Sequence, residues 1–499
     1  MMKKITILTV ILVLVVSFAF AGTGKTVKEV MMENLPEIQK AIQTEHLAWK
    51  AGVSQGFLDE YGDVDFDTLI HDWTSYKQLP DSIKSKIRDY IIALSQKRPL
   101  KLTTTDDMIM SSFTLYKAMR DVDTSAASYT VSHTPVKDQG LHGTCWAFST
   151  VGSLESALMV QKEESNPDLS EQFVAYHDID WDLLYANGAI QDCAADVGGN
   201  YYFSTYNNIR YGVPPEVDFP YEAYTQTLSI KWNPANSTWK DDLIHSNRTA
   251  LVIGAPYSNH YLGYTYGEYI DSIKEMLQKY GALSVSFLVP NSFFDYTGGV
   301  YTPTPGFDEV IGYVGGHAVT LVGWADTQSL IDSGVIEATD TRISTDTAAG
   351  TALEYYDPFT DSMNMATLFW KVKNSWNTDW GDNGYFWVPA ITKDQYDNNY
   401  DNEYSFDDGT VPAWQFEASW NWFTVPIFET ASTIATSDAD FNDDGNVNDA
   451  DFNALMSVVK EETPTATQIE KYDISLPKDG KVNGEDVARF MMLWNAASK

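Results

Sequence analysis

Residues 135–150 of this 499-residue chain read PVKDQGLHGTCWAFST and carry its strongest chemical signal. Cys145 comes directly before apolar residues with helical spacing, which predicts that it lies in the first turn of a helix. The unpaired N–H groups and the dipole at a helix start favour a thiolate over a thiol. The side-chain amide of Gln139 and the N–H of Cys145 could together hold an oxyanion. The stretch therefore predicts a nucleophilic cysteine beside an oxyanion site.

A single cysteine has a simpler interpretation, since most unpaired cysteines are small core residues. Gly140 and Gly143 argue against it, because they keep the loop thin enough for a substrate backbone to pass over the sulfur. The nucleophile also needs a base, and the chain has eight histidines. His317 is the best placed, because in GGHAVTLVGW at 315–324 it starts an apolar run that predicts a buried strand. Alone it would more often be structural, but its pairing with Cys145 favours a base.

A second strand is predicted at 368–376, LFWKVKNSW. Its period-two alternation puts Asn374 on the inner face and Lys371 and Lys373 on the outer face. A buried amide needs hydrogen-bond partners, so we expect Asn374 to bind and orient the histidine ring. Trp376 would shield that bond from water. Taken alone, Asn374 could instead be a turn residue that ends the strand.

In their order along the chain, these motifs closely resemble those of the papain family of cysteine peptidases. The resemblance covers roughly residues 128 to 390 and includes LSEQ at 169–172 and the glycine pair at 198–199. It implies an α+β fold, with a helical left domain, a β-rich right domain and a cleft between them. It makes Cys145 the nucleophile, His317 the general acid/base, Asn374 the orienting residue and Gln139 the oxyanion donor. The substrate-binding positions it implies are Gly198, Gly199, Gly316 and Trp376.

The chain departs from the family pattern in two ways. Cys145 and His317 are 172 residues apart, more than the roughly 130–150 expected, so loops have been inserted, and another insertion is the polar stretch 326–365. Relatives usually carry a disulfide where this chain has His142 and Asp196. We predict that these two side chains face one another, since a disulfide there would hold their Cβ atoms within about 4.5 Å. The other cysteine, Cys193, is predicted to be a free structural thiol.

The N-terminus predicts export. Residues 1–21 combine a basic start, an apolar run of about 16 residues and small residues at the cleavage positions, as a signal peptide does. The run is too short to favour a membrane span. We therefore expect a secreted, extracellular protein with no membrane span after signal removal.

Composition limits the classes of partner. The net charge is −36, whereas nucleic-acid binding requires basic faces, so no nucleic-acid partner is expected. Hydrophobic residues make up 44% and aromatic residues 13% of the chain, which is enough for several packed cores.

Residues 22–128 contain no catalytic constellation and are predicted to be a helical propeptide. Amphipathic helices are expected near 36–49 and 81–96, with Pro36 at a first helical position. A covering segment would protect the cell from an active thiol peptidase, and the resemblance implies that it crosses the cleft opposite to the substrate direction. The small or polar stretches 103–107 and 125–128 could be processed. The alternative is an ordinary N-terminal helical domain.

Residues 440–451, DFNDDGNVNDAD, have the spacing of a 12-residue calcium loop. The alternative is an acidic turn without metal. With a second, imperfect unit some 35 residues later, the region resembles a dockerin module, which implies Ca²⁺ and a cohesin-type partner on a scaffold or cell surface, as in polysaccharide-degrading complexes. The second loop starts either at Ser475 or, with two extra residues, at Asp473. The predicted ligands are Asp440, Asn442, Asp444, Asn446, Asn448, Asp451, Asp473, Ser475, Asp479 and Asp486.

These features predict a secreted cysteine endopeptidase zymogen that needs no cofactor for catalysis and docks through a calcium-dependent module. One alternative is a catalytically silent papain-like scaffold that only presents the module, and another is acyl transfer or exopeptidase trimming on the same fold. The predicted organisation is a signal peptide at 1–21, a propeptide at 22–128, a peptidase domain at 129–430, a linker at 431–437 and a dockerin-like module at 438–499.

Overall fold

The computed structural model describes most of the chain from residue 24 onward. The described residues are 24–66, 85, 89, 113–177, 198–222, 234–239, 241–308, 313–345, 350–357, 362–398, 414–417, 421–428, 439–442, 444–461, 463–474, 481–482, 486–487 and 490. The predicted signal peptide, Cys193, Asp196 and most of the helix expected at 81–96 lie outside them. The prediction that His142 faces Asp196 therefore stays a prediction, because Asp196 lies outside the described residues.

The helices of the described residues are mostly short. They are α1 Val27–Thr44, α2 Gln55–Tyr61, α3 Cys145–Gln161, α4 Glu171–His177, α5 Tyr201–Arg210, α6 Ala255–His260, α7 Tyr266–Lys279, α8 Thr327–Asp332, α9 Lys393–Asn398, α10 Asp449–Val459 and α11 Ala466–Tyr472, with a 3-10 helix at Asn291–Asp295. None of the helices in this part of the chain combines the length and apolar character that a membrane crossing needs.

The strands form one large and two small sheets. They are β1 Trp49–Ala51, β2 Phe113–Leu115, β3 Ser128–Thr130, β4 Arg248–Ile253, β5 Leu283–Pro290, β6 Tyr296–Gly299, β7 Tyr313–Asp326, β8 Ile343–Ser344, β9 Ala352–Asp357, β10 Ser362–Ala366, β11 Leu368–Lys373, β12 Tyr385–Pro389 and β13 Trp422–Ile427. The large sheet has the order β12-β11-β7-β5-β13-β4-β2, with β3 also paired to β7. All its pairs are antiparallel except β2 with β4.

Helix α3 packs against this sheet and is surrounded by protein. Every side chain from Cys145 to Leu158 is buried, although the sequence had indicated a single apolar face. Small side chains let the helix approach the sheet closely. Ser149 and Ser153 donate hydrogen bonds to the carbonyls of Val319 in β7 and of Ala282, which directly precedes β5. The cysteine therefore begins a rigid helix fixed in the main hydrophobic core.

In the N-terminal segment, residues 24–66, the first helix does not start at the residue that the sequence predicted. Helix α1 begins at Val27, because Thr26 and Glu29 form a capping box, and Pro36 lies inside the helix rather than at its first position. Strand β1 pairs with β6 of the peptidase body. At the end of α2, the Tyr61 hydroxyl donates to both carboxylate oxygens of Asp138, at 3.0 and 2.9 Å.

The polar stretch 326–365, expected as an inserted loop, contains regular structure. Its strands β8, β9 and β10 form a three-stranded antiparallel sheet. Leu353 and Tyr355 of β9 are buried in a second hydrophobic cluster, where Tyr355 lies edge-on to Trp414. The insertion is therefore a folded addition to the peptidase body.

The C-terminal residues have a third, separate hydrophobic cluster with an internal repeat. The N–H of Phe441 donates to Asp451 at 2.7 Å, and the N–H of Ile474 donates to Asp486 at the same distance. The equivalence of these two bonds makes Asp473 the start of the second unit, with two extra residues before its closing aspartate. Of the two registers left open by the sequence, the bond favours this one.

Candidate active site

Cys145 is the first residue of α3, and its sulfur is fully buried. The N-cap residue Thr144 makes no side-chain cap bond, so the first N–H groups of the helix remain directed at the site. The sulfur accepts the N–H of Ala318 at 3.4 Å. The thiol thus lies against strand β7, one residue from His317.

The imidazole of His317 is held by Asn374. Its Nε2 lies 2.8 Å from Asn374 Oδ1, and the same oxygen accepts the N–H of Ser375 at 2.8 Å. The other ring nitrogen, Nδ1, has no hydrogen-bond partner among the described residues. The Trp376 indole stacks on the imidazole, with ring centroids 4.7 Å apart and planes at 24°. The structure thus contains both the hydrogen bond between His317 and Asn374 and the covering Trp376 ring that the sequence predicted.

Gln139 is buried between two loops. Its Nε2 donates to the carbonyl of His142 at 2.9 Å, and its Oε1 accepts the Ser375 hydroxyl at 2.6 Å. The bond with Ser375 connects the loop before Cys145 to the strand end that carries Asn374. Because an amide nitrogen has two N–H groups, one remains for an oxyanion.

The structure describes all three of the predicted substrate-binding glycines. Gly198 has a positive φ of 71°. A Cβ on Gly199 would approach the Trp146 indole to 2.1 Å, so this position requires glycine. Gly316 pairs with Leu288 in the large sheet, one residue before His317.

Burial sets the charge of the site. Burial raises the pKa of the Cys145 thiol to about 12, although backbone N–H groups oppose the shift. Burial also lowers the pKa of His317 to about 4, although the hydrogen bond that its ring donates to Asn374 opposes the shift. Both groups are therefore neutral at pH 7, whereas the helix start alone predicted a thiolate. Desolvation disfavours both charged forms and here outweighs the helix N–H groups.

The sequence comparison agrees with this geometry. The model of the family described as papain family cysteine protease matches residues 119–406, which is more than half of the chain. The chain belongs to the papain family of cysteine proteases. It also has the papain-like combination of helical and sheet-rich parts.

Individual papain-family relatives are distant. Cysteine proteinase 2 of Dictyostelium discoideum is 30% identical over 268 residues, covering 53% of this chain and 61% of that protein. Vivapain-1 of Plasmodium vivax is 26% identical over 359 residues, covering 70% and 51%. The chain thus spans between half and two thirds of the length of these relatives. Among solved structures, digestive procathepsin L 3 of Tenebrio molitor aligns with a TM-score of 0.44 and 15% identity, covering 81% of this chain and 90% of that one.

A buried charge cluster of this papain-family chain was missed by the sequence analysis. The Lys137 ammonium lies 2.8 Å from carboxylate oxygens of Glu155 and Glu171, both buried, and of Asp168. Burial alone would lower the pKa of Lys137, but Glu171 and Glu155 outweigh it and raise that pKa. Lys137 and Glu171 lie in the quoted motifs, but nothing in the spacing of these motifs predicted that the two side chains meet.

The expected outward position of Lys373 is wrong. Its side chain is buried, and its Nζ donates to the carbonyl of Thr134 at 3.1 Å. Burial lowers its pKa to about 8. Strand β11 lies inside the sheet with protein on both faces, so alternation does not separate an outer face there.

The C-terminal loop of this family member has oxygen donors suited to Ca²⁺. Gly445 has a positive φ of 83°, as the sixth position of such a loop requires. The carboxylates of Asp440 and Asp451 accept hydrogen bonds from backbone N–H groups of their own loop. The N–H of Gly445, for example, donates to Asp440 at 2.7 Å. Within the described residues, no three His, Cys, Asp or Glu side chains converge on one point. Carboxylate and amide oxygens are the donor types that Ca²⁺ prefers, and a calcium site at Asp440, Asn442, Asp444, Asn446, Asn448 and Asp451 stays a prediction.

The second loop is described only in part. Asp473 and Asp486 are buried, and Asp486 closes its unit as Asp451 closes the first. The other two predicted ligands, Ser475 and Asp479, lie outside the described residues.

Proposed function

We propose that this chain is a secreted cysteine endopeptidase that hydrolyses peptide bonds through Cys145, His317 and Asn374. The observation that carries the proposal is the orientation of the imidazole. Asn374 Oδ1 accepts the N–H of Ser375, so it acts as an acceptor and Nε2 of His317 carries the proton. Nδ1 then has an available lone pair and, among the described residues, no partner to occupy it. A general base needs this state.

The residues give each atom of the reaction a destination. His317 Nδ1 takes the thiol proton of Cys145, and Sγ forms a bond to the substrate carbonyl carbon. The C=O electron pair moves to oxygen, which the Cys145 N–H and the remaining Gln139 N–H bind. The imidazolium proton passes to the amine nitrogen as the C–N bond breaks. A water molecule then gives its proton to Nδ1 and its oxygen to the acyl carbon, and the thiol leaves reprotonated.

The N-terminal segment is proposed to act as an inhibitory propeptide. Its support is the packing of residues 24–66 on the peptidase body through β1 and through Tyr61. In the same state the thiol and the imidazole have no exposed surface and are both neutral. Removing the segment would admit water and stabilise the charged pair, since desolvation is what opposes it.

The C-terminal residues are proposed to be a dockerin-like module that binds Ca²⁺ and a cohesin-type partner. The repeated bonds to Asp451 and Asp486 support two related loops, as does the separate hydrophobic cluster. A module that binds calcium but captures no cohesin domain would instead be a stabilising appendage.

The experiment that tests the enzyme combines an epoxide thiol probe with a peptide blocked at both ends. Processed wild-type protein should react with one equivalent of probe and cut the peptide internally, while full-length Cys145→Ala should do neither. Folding of that variant, checked by circular dichroism, is the control. A folded, processed wild-type protein that neither reacts nor cuts would support the silent scaffold. Release of single residues from unblocked peptides only would indicate an exopeptidase.

A further inference from the structure

We propose that residues 113–130, here called the N-terminal strap, belong to the mature enzyme and that maturation cleavage occurs upstream of Phe113. The proposal rests on the proposed zymogen function and would move the propeptide boundary from residue 128, as the sequence suggested, to a position upstream of Phe113. The sequence offered two small or polar stretches for processing, 103–107 and 125–128, and did not decide between them. The contacts of the strap hold it to the peptidase body through strand pairing and hydrogen bonds.

The strap begins as an integral strand of the large sheet. Strand β2 pairs in parallel with β4, and the N–H of Tyr116 continues the ladder to the carbonyl of Leu251 at 2.8 Å. The Phe113 side chain is 2% exposed. Its ring stacks on Tyr202 with centroids 5.2 Å apart and lies edge-on to Trp422. Loss of the strap would expose both this aromatic cluster and the edge of β4.

The strap also satisfies a buried carboxylate. Glu275 of helix α7 has no exposed surface. It accepts the Tyr116 hydroxyl at 2.9 Å, the Met119 N–H at 2.8 Å and the Arg120 N–H at 2.5 Å. These are all of its side-chain hydrogen bonds among the described residues. Because an unsatisfied buried carboxylate is costly, removing the strap would destabilise α7 at its centre.

Further bonds continue to the end of the strap. The Ala118 N–H donates to the Ser272 hydroxyl at 2.9 Å, and the Trp324 indole donates to the carbonyl of Ala126 at 2.9 Å. Strand β3 then pairs with residues 323–325 of β7. The strap thus binds the body along its whole length.

The first measurement is the N-terminal residue of the processed wild-type enzyme, by intact mass and N-terminal sequencing. We expect a stable, probe-reactive body that begins upstream of Phe113. A probe-reactive body that begins between residues 118 and 129, without the missing peptide bound to it, would overturn the proposal. Wild-type protein that neither processes nor reacts with probe would contradict the proposed function instead.

The second measurement does not need peptidase activity. Full-length Cys145→Ala protein is treated with trypsin, and the rate of cutting after Lys117 is followed by mass spectrometry. Glu275→Ala should speed this cut by about tenfold or more, because it removes three strap bonds and favours local opening. Glu275→Gln, which keeps the side-chain volume and one acceptor oxygen, should give an intermediate rate and remains informative should the alanine variant not fold.

The matched control is Gln278→Ala on the same helix. Gln278 makes one exposed bond to the strap, to the carbonyl of Asp123, so its loss should change the rate less than twofold. Rapid cutting after Lys117 in the parent protein, or equal rates in the parent and both Glu275 variants, would show that the strap is not held as proposed.

Discussion

At the scale of single residues, the position of one proton organises the candidate site. Asn374 fixes the proton of His317 on Nε2 through an oxygen that also accepts the Ser375 N–H. The stacked Trp376 indole keeps water from that bond. Nδ1 is thereby available as a base even while the thiol beside strand β7 is neutral. In the unprocessed chain, Asn374 orients the His317 ring, while burial keeps that ring uncharged. The orientation and the charge of the ring therefore have separate causes.

Burial of His317 predicts a pH effect on stability. Its pKa is lowered from 6.5 to about 4, so between these values the unfolded chain binds more protons than the folded one. Stability should therefore decrease as the pH falls from about 6.5 to about 4, by up to about 3 kcal/mol for this group. The measurement is the thermal midpoint of full-length Cys145→Ala across that range, which should fall less in Cys145→Ala/His317→Gln.

His46→Gln in the same Cys145→Ala background is the control for this prediction, because His46 is exposed. It should leave the pH dependence of the midpoint unchanged. Identical slopes with and without His317 would contradict the assigned cause.

At the scale of elements, the Lys137 cluster joins the loop of Gln139 to helix α3. The Glu155 carboxylate of α3 accepts hydrogen bonds from the N–H of Leu169 at 2.9 Å, from the Lys137 ammonium and from the Thr134 hydroxyl. It therefore joins helix α3 to the segment of Thr134 and Lys137 and to Leu169. Buried carboxylates need this cation, since the interior does not solvate them.

Lys137→Met should therefore lower the free energy of unfolding by about 3 kcal/mol, because it leaves Glu155 and Glu171 buried without that partner. Lys371→Met is the matched control, because among the described residues the Lys371 ammonium lies over the rings of Tyr385 and Trp387 and forms no ion pair. This substitution should cost less than about 1 kcal/mol. Urea unfolding of both in the Cys145→Ala background measures the difference. Equal effects would mean that the cluster does not stabilise the fold.

The N-terminal segment provides a second prediction at this scale. Tyr61→Phe removes a hydroxyl that donates to both oxygens of Asp138, and hydrogen bonds to charged groups contribute about 1.5–3 kcal/mol. Unprocessed Tyr61→Phe protein should react with the epoxide probe about tenfold faster than unprocessed wild type. The rate of probe labelling, measured before any cleavage appears by mass, is the test.

Gln55→Ala is its control, because Gln55 in the same helix donates to Asp59 on the exposed surface. Its labelling rate should match that of wild type. Faster labelling in both variants would indicate general loosening of α2 rather than loss of the bond to Asp138.

At the scale of the whole molecule, the described residues pack into three hydrophobic clusters. One holds the site and the N-terminal segment, one the insertion, and one the C-terminal module. The module's core is small, with Phe441, Leu455 and Phe490 at its centre. A core of this size gains little from burial alone, so we expect bound metal to supply much of its stability.

Calcium removal should therefore unfold the module and leave the peptidase intact. In calorimetry of full-length Cys145→Ala, a chelator should lower the midpoint of one transition only, and added Ca²⁺ should restore it. Asp440→Ala should abolish the response, whereas Glu470→Gln, an exposed acid in the same module, should not. A midpoint insensitive to chelator in the parent protein would contradict a calcium site.

The sequence by itself determined the candidate chemistry, because short motifs with demanding residue types specify it. Cys145, His317, Asn374 and Gln139 were all identified from local spacing and from the resemblance they carry, and the structure brings them together. Tertiary structure alone decided the charge state of Cys145 and His317, since desolvation depends on what covers a group rather than on its neighbours in sequence. It likewise placed Lys373 inside and Phe113 in the sheet, because strand pairing between residues far apart in the chain cannot be inferred from the alternation of either strand.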